Sequence, residues 1–144
     1  MSSYPRTIAV GFDGSPDALS ACAWAMATGR RLEAHLVLVH ARGLLGRLER
    51  TDPRELFEHV VDDLATRHGF DPAKLSWHVA DGDACSVLLR CADAPVFADL
   101  VVLGSRGRDE HAGMLIGSTS LQLAERSPIP VVIVPSTTSE RPAS

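Results

Sequence analysis

The chain has 144 residues, 45% of them hydrophobic and 22% charged, and a formal net charge of −4. That length fits one domain whose core needs neither disulfides nor a structural metal. The acidic balance argues against a non-specific binder of nucleic acid or anionic membrane, because both tasks rely on a basic surface. No apolar run approaches a membrane span, and the opening MSSYPRTIAV lacks the pattern of a secretory signal, so a cytoplasmic location is expected. Cys22, Cys85 and Cys91 show no CxxC spacing and lie in apolar helical patterns, which makes them small core residues rather than a disulfide framework or a zinc site.

In chain order, Thr7 to Phe12 is the first expected strand. Ser15 then caps a helix that Pro16 opens, and Leu19, Cys22, Ala23 and Met26 form its apolar stripe. His35 to Ala41 is apolar on both faces, as in a strand lying between two helical layers of a parallel sheet. The following segment, Arg42 to Arg50, carries three leucines and reads as a variable crossover docked on the domain, with a lid as the alternative. Asp52, Pro53 and Glu55 have helix-start spacing, and Phe57, Val60, Val61 and Leu64 recur at helical intervals up to Gly69. Leu75 to Ala80 alternates apolar and polar residues, which places it at a sheet edge. Asp83 caps a third helix that carries Leu88, Cys91 and Ala92. Leu100 to Leu103 is a buried strand, Ser118 to Arg126 a last helix and Val131 to Val134 a fifth strand. The polar stretch from Ser136 to Ser144 has no apolar periodicity and is expected to be a disordered tail beyond a domain of residues 1–135. Strands alternating with crossovers of this length predict a single-domain α/β fold around an open five-stranded parallel sheet, with helices on both faces.

Ligands of such sheets sit beyond the carboxyl ends of the strands. Two loops there are rich in glycine: Gly11-Phe12-Asp13-Gly14-Ser15 after the first strand, and Gly104-Ser105-Arg106-Gly107-Arg108 after the fourth. Glycine lets main-chain N–H groups approach an anion without Cβ obstruction. Gly117-Ser118-Thr119-Ser120 adds hydroxyls and the positive end of a helix. Neither GxxxxGK[ST] nor GxGxxG is present, which excludes a Walker-type loop and disfavours a dinucleotide dehydrogenase. The pattern left is Gly104-x2-Gly107-x9-Gly117-Ser118.

With that spacing, from Thr7 to Pro135, the sequence resembles the universal stress protein family, and the glycine pattern resembles its ATP-binding branch. The resemblance implies a Rossmann-like sheet of order 3-2-1-4-5, similar to the adenine-nucleotide α-hydrolases, in which the two glycine loops face each other. It implies that Asp13 lies by the ribose and phosphates and that Ala41 presents main-chain groups to the adenine. Gly104, Gly107, Gly117 and Ser118 would hold the triphosphate, with Thr119 and Ser120 completing the contact. Gly11, Ser105, Arg106 and Arg108 belong to the same candidate nucleotide site, and Asp13 is the candidate ligand of Mg²⁺. Two departures stand out: Gly11 occupies a position where many relatives carry another small residue or proline, and Asp109-Glu110-His111 is more acidic than the usual loop.

For Asp13 the competing role is a turn aspartate bound to its own loop, and for His40 a local hydrogen bond is favoured over chemistry. The family also dimerises through its last strand, which implies a homodimer through Val131, Val132, Ile133 and Val134. The expected function is an ATP-dependent stress-response or signalling module, at most a slow ATPase, since no base or positioned nucleophile accompanies the phosphate motif. The alternatives are an adenylyl- or phosphotransferase on the same fold, and a nucleotide-free interaction module.

Overall fold

The five strands are Thr7–Gly11 (β1), His35–Ala41 (β2), Leu75–Ala80 (β3), Leu100–Gly104 (β4) and Val131–Val134 (β5). All neighbouring pairs are parallel, and the sheet order is β3-β2-β1-β4-β5, as the family resemblance implies. The computed structural model describes residues 5–43, 51–106 and 116–135. Most of the expected crossover after β2, Gly107, Arg108, the Asp109-Glu110-His111 run and the polar tail lie outside those residues.

The helices start and stop on local chemistry. Helix α1 (Pro16–Leu32) opens with Pro16 after Ser15, whose hydroxyl accepts from the Ala18 N–H. Helix α2 (Pro53–His68) starts after Asp52, whose carboxylate accepts from the Arg54 N–H, and stops at Gly69 in the left-handed conformation. Helix α3 (Ala84–Arg90) is capped by Asp83, and α4 (Ser118–Arg126) begins after Gly117. The expected apolar stripe of the third helix outruns the helix itself: Cys91 is already its C-cap.

Alternation along the central strands divides the core into two. Ile8, Val10, Leu36 and Leu38 pack against α1 and α2, where Ala21, Cys22, Ala25 and Met26 are fully enclosed. Ala9, Val39, Val101 and Leu103 face the other way, onto Val87 and Leu88 of α3 and Leu123 of α4. All three cysteines are buried and free. Burial pushes the Cys22 thiol up to about 12 and the Cys91 thiol up to about 11, so both stay protonated and unreactive at neutral pH.

Candidate functional site

Strand order reverses between β1 and β4. The chain leaves β1 towards β2 on one side and leaves β4 towards β5 on the other, so the two exits diverge over the carboxyl end of the sheet. A cleft with about 570 Å³ of empty space, part of it open to solvent, lies there. Gly11, Phe12 and Asp13 contribute from the end of β1, Ala41 from β2, Gly104 and Arg106 from β4, and Thr119 and Ser120 from the first turn of α4.

Gly104 is required by a close approach. A Cβ there would fall 2.6 Å from the Cβ of Asp17 and 2.7 Å from its carbonyl carbon and oxygen, so β4 runs against the backbone of α1. At Gly11 the same methyl would meet only side chains, with Leu88 Cδ1 at 3.2 Å the nearest. Both glycines border the cleft, one beside each helical layer.

Asp17 organises the β4 exit. Its Oδ2 accepts from the Ser105 hydroxyl at 3.1 Å and from the Arg106 main-chain N–H at 2.9 Å, and it lies 3.4 Å from Arg106 Nε. The residue is only 5% exposed. Its sequence position, in the first turn of α1, signals no more than an acid favoured by the helix dipole. Helix α4 is anchored to the same exit: the Gly117 N–H donates to the Ser105 carbonyl, and the Ser120 hydroxyl donates to the Gly104 carbonyl at 2.9 Å.

The β1 exit is a tight turn. Asp13 Oδ1 accepts from the Ser15 N–H at 2.9 Å, the local bond of a turn aspartate. Gly14 takes a positive φ of 80°, and a Cβ there would lie 2.5 Å from the Phe57 ring. Phe57 stacks edge-on with Phe12, which meets Trp77 in the same way. His40 Nδ1 lies 3.0 Å from the Phe12 carbonyl, consistent with the local hydrogen bond expected of it.

The structure therefore brings Gly11, Asp13, Ala41, Gly104, Arg106, Thr119 and Ser120 to one cleft. Ser105 and Gly117 stand behind its wall, their polar groups directed to the protein's own Asp17 carboxylate and Ser105 carbonyl, and Ser118 is exposed at the start of α4 without lining the cleft. Phe12, Val39, Leu88 and Leu103 supply apolar walls that the glycine pattern did not disclose, although their strands and helix were legible. Among the described residues, no three His, Cys, Asp or Glu side chains gather to hold a metal ion.

The model of the universal stress protein family matches residues 5–135. The chain belongs to that family. Solved structures agree. One is a universal stress protein in complex with cAMP, 29% identical, with a TM-score of 0.73 over 94% of this chain and 100% of that one. A protein from Mycobacterium tuberculosis H37Rv is 27% identical, with a TM-score of 0.55 over 93% and 98% of the two chains. UspA, a universal stress protein of Lactobacillus plantarum, is 19% identical, with a TM-score of 0.67 over 89% and 96%, and speaks for the fold. Among the described residues no helix of this universal stress protein is long and apolar enough to cross a membrane.

Proposed function

We propose that the cleft binds an adenine nucleotide, ATP in the first instance, and that this universal stress protein works as a nucleotide-dependent stress-response module rather than a dedicated enzyme. The observation that carries the reading is the meeting, at the strand-order reversal, of Gly11, Gly104, Arg106 and the first turn of α4 in one cleft. Apolar Phe12, Val39 and Leu88 suit a base, while Arg106 and the α4 amides suit phosphate oxygens. The neighbour in complex with cAMP supports an adenine nucleotide here.

The donor set fits a nucleotide better than a resident metal. Among the described residues one carboxylate, Asp13, borders the cleft, so Mg²⁺ would be held by Asp13 together with phosphate oxygens, the usual sharing for that ion. Among the described residues that line the cleft there is no histidine, lysine or cysteine to act as base or nucleophile, in keeping with at most slow hydrolysis. The domain of this function is residues 1–135, in the cytoplasm. Val131, Val132 and Ile133 remain half-buried on the outer strand β5, which suits pairing with a second copy. A protein sedimenting only as a monomer at micromolar concentration refutes that dimer.

The site is tested by mass spectrometry of small molecules released from the purified protein and by calorimetry with ATP. Thr119→Glu sets a carboxylate at the α4 terminus beside the cleft; ATP affinity is expected to fall more than about tenfold in a folded variant. Unchanged ATP affinity in that variant defeats the site.

A further inference from the structure

We propose that Asp17 is a built-in counter-anion that neutralises Arg106 at the cleft wall, so that the site rewards ligand charge less than its donors alone would. This rests on the nucleotide reading above and specifies which adenine ligands the cleft favours. Three donors, the Ser105 hydroxyl, the Arg106 main-chain N–H and the Arg106 guanidinium, converge on a single oxygen, Asp17 Oδ2. A hydroxyl, a main-chain N–H and a guanidinium are the set that recognises a phosphate oxygen. Of these donors, those of Arg106 border the cleft, and Asp17 thus takes up charge that an incoming phosphate would otherwise meet.

The carboxylate cannot retreat. It belongs to the first turn of α1, whose backbone is pressed against Gly104. It is 5% exposed, so water screens its charge little from the Asp17 side of the part-buried pair. Arg106 keeps a border on the cleft, with its side chain 20% exposed, so the charge that Asp17 offsets is the one a ligand meets. The pair is close to neutral as seen from the cleft. An adenine ligand of low charge gives up little by this, and a triphosphate gives up most.

The experiment uses the full chain with Asp17→Asn, which keeps an acceptor oxygen for Ser105 and Arg106 and removes only the charge. Calorimetry is run with adenosine, cyclic AMP, ATP and inorganic tripolyphosphate. In the variant ATP and tripolyphosphate are expected to bind about tenfold more tightly, cyclic AMP about threefold, and adenosine unchanged. The double variant D17N/R106Q restores the wild-type charge balance, and its ATP affinity is expected within about threefold of wild type. A rise that includes adenosine equally, or a double variant as tight as D17N, overturns the proposal. Asp17→Ser is the second neutral replacement, read in the same way if D17N does not fold. If the wild type binds none of the three adenine ligands, the nucleotide reading fails by itself. The counter-anion is then decided by tripolyphosphate, and no gain in either neutral variant sinks it.

Discussion

At the exit of β4, α1 meets the sheet backbone to backbone; at the exit of β1, α3 meets it through a leucine side chain. An added methyl at Gly104 would sit 2.7 Å from the Asp17 carbonyl, whereas one at Gly11 would sit 3.2 Å from Leu88 Cδ1. The lengths follow suit, 17 residues for α1 and 7 for α3. A side chain can shift by a few tenths of an ångström, and a helix backbone packed on two strands cannot. The cleft therefore has one side fixed by main-chain packing and one that yields, and Arg106, which lines it, is held with Ser105 by Asp17 on the fixed side.

The matched pair of glycines puts this contrast to its strongest test. Gly104→Ala is expected to lower stability by about 3–4 kcal/mol, because β4 and α1 must separate. Gly11→Ala is expected to cost about 1 kcal/mol or less, with Leu88 changing rotamer. Urea unfolding of both variants measures the difference, and equal losses would erase the distinction between the walls. Asp17→Ala comes next, at about 2–3 kcal/mol, since it removes the acceptor of the buried Ser105 hydroxyl and of the Arg106 main-chain N–H. A loss below 1 kcal/mol would show that water replaces the carboxylate and that this wall is softer than its packing indicates.

Much of the fold is legible in the sequence because its signals are local. Ser15-Pro16, Asp52-Pro53 and Gly69 mark helix ends within a few residues, and the observed bounds of β2, α2, α4 and β5 coincide with the expected ones. The glycine loops likewise point to the carboxyl end of β1 and β4, where the cleft lies. Asp17 is not legible, because its partners Ser105 and Arg106 are 88 and 89 residues away and no local pattern encodes that meeting. The same distance hides why Gly104 must be glycine: the sequence suggests a phosphate cradle, and the structure adds the backbone of α1. Ser105, Gly117 and Ser120 read as ligand donors, yet their polar groups close the β4 exit onto α1 and α4.

Asp83 is the counterpart of Asp17 on the yielding wall. It caps α3, with Oδ2 accepting from the Ser86 N–H at 3.0 Å and Oδ1 from the Ser86 hydroxyl at 2.8 Å, and those bonds hold its carboxyl below the usual range. The group is exposed, so solvent screens it, and Asp83→Ala is expected to cost about 1 kcal/mol, the ordinary value of a helix cap. Because the folded-state pKa is depressed, this stability is present above the unfolded carboxyl value and disappears as pH falls through the folded one. Acid titration of wild type and variant should converge at low pH. A variant as damaging as Asp17→Ala would mean that α3 carries the cleft as rigidly as α1 does.

The smallest effect separates the two cores themselves. Cys22, enclosed between α1 and the sheet, is pushed up to about 12 by burial, while Cys91 beside α3 reaches about 11, with Arg90 pulling it back. Both folded values exceed the ordinary thiol value of 9.0, so the folded state holds these protons more tightly than the unfolded chain. Stability from each thiol is then complete below pH 9 and falls as pH rises towards the folded value, by about 1 kcal/mol or less per thiol between pH 8 and 9.5. Above pH 11 the loss from Cys91 levels off, while that from Cys22 continues. Replacing Cys22 by alanine should therefore flatten the alkaline limb of the unfolding curve further than replacing Cys91. Equal flattening, measured by urea titration carried up through pH 11 to 12, where the two losses part, would place the two thiols in equally closed surroundings and remove the difference between the faces at its finest scale.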